Sequence, residues 1–401
     1  MARNIIIEKL AGPLIEEQEI EIVERKGLGH PDYICDALSE AASQALSQYY
    51  LKKFGQVLHH NLDKGLLVAG KSKPEFSGGK ILEPIKIIIA GRATDRVGKF
   101  IIPAAQIAEK AVKNQLLKIL NLTRKTLKEN FKISINYKPG SADLQDVFQR
   151  KNKIALSNDT SFGVAHAPLS KTEELVLNVS NLINSQNFIK RFPFIGKDTK
   201  VMALREKERV LLTISIAFVD RYVKSIKDYF EKKEKVKKEI ESYIKKNFDF
   251  KSIKINLNTL DDPNTKTKAG IYLTVLGLSA EQGDDGQVGR GNRVCGLIIP
   301  CREMSMEAAA GKNINHPGKL YQVLAHIIAQ KIGKTEGVKE CYVKLLSQIG
   351  KPLDQPQVAL VKVNSQNFSF LQKKLVTIIN DIFDRLPAIQ LTIVKGKYSL
   401  F

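Results

Sequence analysis

Four short runs rich in β-branched residues set the terms for what this chain can fold into. They are Pro84–Gly91 (PIKIIIAG), Val210–Val219 (VLLTISIAFV), Ser252–Asn258 (SIKINLN) and Ile271–Gly277 (IYLTVLG). Their length and partial alternation predict strands. Segments with helical spacing lie between and around them. Pro103–Leu120 opens on a proline suited to a first helical turn and keeps one apolar face. Asp36–Tyr50 reads as a helix of small residues able to pack closely, and Leu320–Ile332 as an apolar-faced helix. Lys224–Lys246 holds nine lysines and five acids, with Ile226, Phe230, Ile240, Tyr243 and Ile244 near helical spacing. That pattern predicts a long amphipathic helix with a solvated outer face. Strands and helices mixed without a strict βαβ period predict an α/β fold built from mixed (α+β) sheets, and argue against a doubly wound or TIM design. No internal repeat is visible. Loop-like composition divides the chain near 135 and 255, giving expected units 1–135, 136–255 and 256–401.

Composition narrows the function classes. At roughly 150 residues per domain, 401 residues suggest two to three domains. A hydrophobic fraction of 43% with 26% charged residues excludes wholesale disorder. No apolar run approaches the ~20 residues that span a bilayer. Met1–Glu8 reaches an acid too early for the apolar region of a signal peptide. Cys35, Cys295, Cys301 and Cys341 lie far apart and form no CxxC pair. The expectation is a reduced, cytoplasmic protein with no membrane partner. Lys+Arg number 63 against 42 Asp+Glu, a net charge of +21. Such a balance suits nucleic acid, an acidic membrane face or phosphate-rich small molecules, and is equally the mark of a lysine-rich solvated surface. With 14 arginines, no tryptophan and no interleaved aromatic-basic strand, a nucleic-acid partner is not expected.

One motif is a decoy. Gly65–Ser72 (GLLVAGKS) satisfies the phosphate-loop pattern, but its middle is an apolar, strand-like run and Lys73–Gly79 cannot start a helix. The segment Gly283–Arg293 (GDDGQVGRGNR) is different. Adjacent carboxylates suit a divalent cation, glycines let backbone approach a ligand, and two arginines three apart suit phosphate oxygens. Ser305–Lys319 (SMEAAAGKNINHPGK) gathers Lys312, His316 and Lys319 in one loop, which looks like a second wall of an anion site. Near the start, Glu24–Asp36 (ERKGLGHPDYICD) places an imidazole and a carboxylate where a helix begins, in catalytic or merely capping roles. Leu156–Gly163 (LSNDTSFG) is a polar loop with one acid. Together these patches describe a site for a polyphosphate with a divalent metal, without saying which reaction occurs there.

The ordered set His30-Pro31-Asp32, Ser157–Ser161, Asp198-Thr199-Lys200, Gly283–Arg293 and Ser305–Lys319 resembles the methionine adenosyltransferase (S-adenosylmethionine synthetase) family, in its archaeal-type branch, from about Glu21 to Gly350. The resemblance implies that methionine sulfur attacks the ribose C5′ of ATP, displacing a triphosphate that is then hydrolysed to pyrophosphate and phosphate. It implies ATP and L-methionine as substrates and Mg²⁺ as cofactor, one ion or two, leaving open a monovalent cation such as K⁺. His30, Lys312 and Arg290 would be catalytic, with Asp32 a Mg²⁺ ligand. Glu24, Asp63, Lys64, Asp159, Asp198, Lys200, Asp284, Asp285, Arg293, Asn315, His316 and Lys319 would line the substrate site. The implied fold is three similar subdomains of mixed sheets with outer helices, the chain threading between them, in a homodimer with active sites at the subunit interface.

The chain departs from that pattern in two places. The family usually reads Gly-Lys-Asn-Pro-Val-Asn-His, whereas Gly311–His316 (GKNINH) is one residue shorter and lacks the proline, which alters the reach of His316 and Lys319. His166 stands where the family usually has an aromatic residue and reads as a packing substitution.

Overall fold

The computed structural model of the chain describes residues 2–150 and 154–401. Three mixed sheets carry the fold. In the first, His60–Val68 pairs antiparallel with Ile85–Ala93, which runs parallel to Phe131–Lys138; the two-residue strand Gly286–Gln287 closes the other edge. The second runs Ile20–Lys26, Ile195–Glu206, Arg209–Val219, Ser252–Leu257. The third runs Ile5–Lys9, Val358–Ser365, Val338–Leu346, Phe162–Ala167. Sheet membership is not linear in sequence. The first 26 residues give an edge strand to the third sheet and another to the second, and Gly286–Gln287 joins the first.

Each sheet buries its own apolar core against two long helices. These are Pro31–Phe54 and Ala104–Leu120 on the first, Lys171–Asn184 and Ile226–Asn247 on the second, and Pro317–Gly333 and Phe368–Asp384 on the third. Helix Ile226–Asn247 buries Tyr229, Val236, Ile240 and Ile244, a stripe at helical period. Its outer face pairs lysines with acids one turn away, Lys232 with Asp228, Lys237 with Glu241 and Lys238 with Glu234. Much of the positive charge there is therefore a solvated, self-paired surface.

Ile271–Gly277 is not the strand its composition predicts. Only Leu273–Thr274 pairs, with Arg209–Val219. The next two amides, of Val275 and Leu276, donate to the Glu281 carboxylate instead of a ladder. Gly277 then turns at φ +79° against Gly196, where any Cβ would strike backbone. The phosphate-loop lookalike is strand as expected: Val68 ends one strand and Lys71–Lys73 forms another, with no helix after it. No helix among the described residues is long and apolar enough to cross a membrane.

Candidate active site

Helix Pro31–Phe54 organises the site. Asp32, Asp36 and Glu40 lie four residues apart and so share one face. All three are buried, at 4%, 3% and 4% exposure. A buried carboxylate needs donors, and here the glycine-bearing loops provide them. Asp32 Oδ1 accepts the Gln287 N–H at 2.9 Å and Asp36 Oδ1 accepts the Gly289 N–H at 2.9 Å. Glu40 Oε2 accepts the Gly311 N–H at 3.1 Å and the Lys319 ammonium at 2.6 Å. One turn on, Ser43 Oγ donates to the Lys312 carbonyl at 2.8 Å. The acidic stripe thus pins both recognised loops to one helix. A Cβ at Gly291 would fall 2.1 Å from the Asp36 carboxylate, and Gly311 turns at φ +78° against the Leu62 carbonyl. These close approaches explain the glycines. Burial pushes the Asp36 carboxyl up to about 7. Arg293 donates to the carbonyls of Gly289, Gly291, Ser305 and Met306, so it ties the two loops together rather than facing solvent.

One cluster surrounds the helix start. His30 caps it, accepting the Asp32 N–H on Nδ1 at 3.2 Å. That bond commits Nδ1 as acceptor and leaves the proton on Nε2. Burial, then the Lys26 ammonium, push the imidazole down to about 4, so it is a neutral N–H donor near pH 7. Lys26 Nζ donates to Asp32 Oδ2 at 2.8 Å and to the Arg290 carbonyl at 2.6 Å. Glu24 lies 3.8 Å from Lys26 and 3.6 Å from Lys200. The Arg290 guanidinium, 70% exposed, stands 3.9 Å from Asp32. Asp198 borders this cluster, accepting the Ser279 N–H at 2.8 Å, and burial raises it to about 6. Ser279 Oγ also donates to Asp284 at 3.0 Å, while Asp285 accepts the Ala69 N–H at 2.8 Å.

A second cluster sits by Glu40, eight residues or ~12 Å along the helix from Asp32. Lys312 Nζ is 3.2 Å from Asp63 and 3.4 Å from Glu307. Burial opposes ionisation of Asp63, but Lys312 and Lys64 hold it below the usual carboxylate range. Ser161 Oγ donates to Glu307. His316 caps helix Pro317–Gly333 and reaches Asp159 at 3.3 Å. Ligand atoms of Asp159, Glu307 and His316 lie within 4.8 Å of one another. The short Gly311–His316 loop is held by Asn313, whose backbone and side-chain N–H groups donate to Asn61 at 3.1 and 3.0 Å. In this loop Lys319 reaches the buried Glu40 and His316 the half-exposed Asp159, whereas Asn315 turns away to Gln390 at 3.0 Å.

Motif reading overlooked Lys26, Asp36, Glu40 and Glu307. The acidic stripe has a sequence signal, its four-residue spacing on a predicted helix. Glu307 has none, because its role depends on Ser161 and Lys312 coming to it. His166 is more than packing: its Nε2 lies 3.3 Å from the buried Glu173 carboxylate.

A profile of the S-adenosylmethionine synthetase (AdoMet synthetase) family matches residues 3–397. The chain is similar to the S-adenosylmethionine synthase of Methanocaldococcus jannaschii, with 48% identity over 410 residues covering 100% of both proteins. It is 46% identical over 409 residues to that of Pyrococcus furiosus, again covering 100% of both. Among solved structures, an unusual S-adenosylmethionine synthetase from Campylobacter jejuni aligns with a TM-score of 0.54 at 14% identity, covering 91% of this chain and 89% of that one, a likeness of fold.

Proposed function

The chain belongs to the S-adenosylmethionine synthetase family and makes S-adenosylmethionine from ATP and methionine; from that premise we propose how its own residues carry the reaction. The methionine sulfur attacks the ribose C5′ and displaces triphosphate, which is hydrolysed to pyrophosphate and phosphate before release. A thioether carries no proton, so no general base is needed. What lowers the barrier is alignment and charge set against the leaving oxygens. The observation that carries this reading is the His30 imidazole, whose Nδ1 accepts the Asp32 N–H and so leaves Nε2–H to donate, beside the cations Lys26, Lys200 and Arg290. In this reading His30 donates to the departing oxygen while Arg290 and Lys312 balance the triphosphate. Glu24, Asp63, Lys64, Asp159, Asp198, Lys200, Asp284 and Asp285 line the substrate side.

Mg²⁺ is the divalent ion of this reading, and it favours one or two carboxylates together with phosphate oxygens. Asp32 already carries Lys26 on Oδ2 and the Gln287 amide on Oδ1, so an ion there must share with the ammonium. The half-exposed carboxylates of Asp159 and Glu307 fit such an ion better. What the ion supplies when bound is positive charge beside the triphosphate. Homodimerisation with sites at the interface is supported by apolar side chains left exposed beside site residues: Leu66 at 41%, Phe162 at 41% and Met306 at 80%. A cytoplasmic setting is supported by four free cysteines. Incubation with ATP, methionine and Mg²⁺ tests the reaction. Equimolar S-adenosylmethionine, pyrophosphate and phosphate, all dependent on methionine, are expected. Phosphate released without methionine would contradict the coupled scheme.

A further inference from the structure

His316 repeats the arrangement of His30 at the start of a different helix. Each histidine precedes a proline, each caps its helix, and each accepts an amide two residues on through Nδ1: Asp32 N–H at 3.2 Å for His30, Gly318 N–H at 3.0 Å for His316. An Nδ1 that accepts an N–H carries no proton of its own, so the neutral ring bears its hydrogen on Nε2. For His316, Nε2 lies 3.3 Å from Asp159 Oδ2.

Asp159 is otherwise held by its backbone. Its carbonyl accepts Ser157 Oγ at 2.6 Å and Ser347 Oγ at 3.0 Å, and its Oδ1 accepts the Thr160 N–H at 2.9 Å. The other carboxylate oxygen has His316 Nε2 as its neighbour at 3.3 Å. The carboxylate itself is 45% exposed, which leaves a face for a substrate or ion. The bond that the Gly318 N–H makes to Nδ1 argues against reading Asp159, Glu307 and His316 as a three-ligand metal site, because metal ligation through Nε2 needs the lone pair that the proton occupies.

We infer that His316 is a positioning residue for the reaction: it caps helix Pro317–Gly333 through Nδ1 and, through Nε2–H, fixes the orientation of the Asp159 carboxylate. This rests on Asp159 lining the substrate site. The two roles sit on different ring atoms, so two substitutions separate them. Asparagine mimics the acceptor at Nδ1, and glutamine mimics the donor at Nε2.

The experiment measures kcat, the KM values for ATP and methionine, and Tm for His316→Asn, His316→Gln, Asp159→Asn and the double variant His316→Asn/Asp159→Asn, in the full-length protein. His316→Asn is expected to keep its Tm but lose ~10-fold or more in kcat/KM, a cost of misorientation. His316→Gln is expected to lose Tm yet retain more activity per folded molecule. In the Asp159→Asn background, His316→Asn should change kcat/KM by less than ~2-fold, the signature of one group acting through the other. Wild-type kinetics in His316→Asn would reduce the residue to a cap and overturn the inference. So would full additivity in the double variant, with Asp159→Asn itself impaired. An unimpaired Asp159→Asn would instead remove Asp159 from the substrate site, overturning the reading beneath the inference as well.

Discussion

Two regions of this molecule are dense in buried charge, and they are built to opposite ends. At the junction of the second and third sheets, Glu173 accepts Arg302 Nε at 2.5 Å and faces His166 at 3.3 Å. Arg302 also donates to Tyr342 at 3.2 Å and lies 3.3 Å from Glu340, which takes the Ile15 N–H at 3.1 Å. Glu173 and Arg302 side chains are each 1% exposed. Every charge there is answered within the protein, leaving nothing to offer a ligand. In the candidate active site the anchoring acids are buried, but cations beside them stay open to solvent although acids lie near: Lys200 is 41%, Arg290 70% and Lys64 71% exposed. Residue type does not separate the two networks. What separates them is exposure, which leaves charged groups of the candidate site open to a ligand.

Breaking the junction should have the largest effect. Arg302→Met leaves Glu173 and Glu340 buried without their partner and is expected to cost about 3–5 kcal/mol of stability, read as a fall in Tm or in the urea midpoint, with kcat unchanged in the folded fraction. Lys312→Ala differs in that kcat itself falls by ~100-fold or more, as for loss of a charge stabiliser, beside the fall in Tm that follows when Asp63 loses a buried partner.

The pH dependence sharpens the contrast within the stripe itself. Burial raises Asp36 to about 7, above its unfolded value of about 4. The native state therefore binds the proton that the unfolded chain has released, so this group's contribution to stability falls as pH climbs from about 4 to about 7, then levels. The buried histidines pull the other way, since His30 and His316, lowered to about 4, lose stability as pH drops below about 6.5. They are common to both proteins in a comparison of wild type with Asp36→Asn. The variant's Tm should lose less, or gain more, between about pH 5 and 7.5, and parallel Tm profiles would exclude an Asp36 that titrates in this range. The smallest effect belongs to Lys71→Ala. Its strand setting predicts turnover within ~2-fold of wild type in the product assay, where abolished turnover would revive the phosphate-loop pattern.

Much of the candidate site was legible because its motifs are local in sequence. His30-Pro31-Asp32 needs only its own helix start, and Gly283–Arg293 announces itself by its glycines. Fold elements read well wherever periodicity is local, as in Ala104–Leu120 and Ile226–Asn247. What was not legible is non-local. The pairing of Ile5–Lys9 with Val358–Ser365 joins opposite ends of the sequence, and nothing in either run names its partner. Glu40 sits among small helical residues, and its meaning comes from Gly311, 271 positions away. Ile271–Gly277 misled because a side chain outside the window, Glu281, takes the amides a strand would use.

The most direct test of the site's cations as the catalytic resource is single-turnover formation of S-adenosylmethionine by rapid quench, at saturating ATP, methionine and Mg²⁺, in wild type, Arg290→Ala and Lys312→Ala. The account predicts that the chemical step itself slows by ~100-fold or more in each variant. Wild-type rates of bond formation, with only KM raised, would place both cations in binding alone and contradict it.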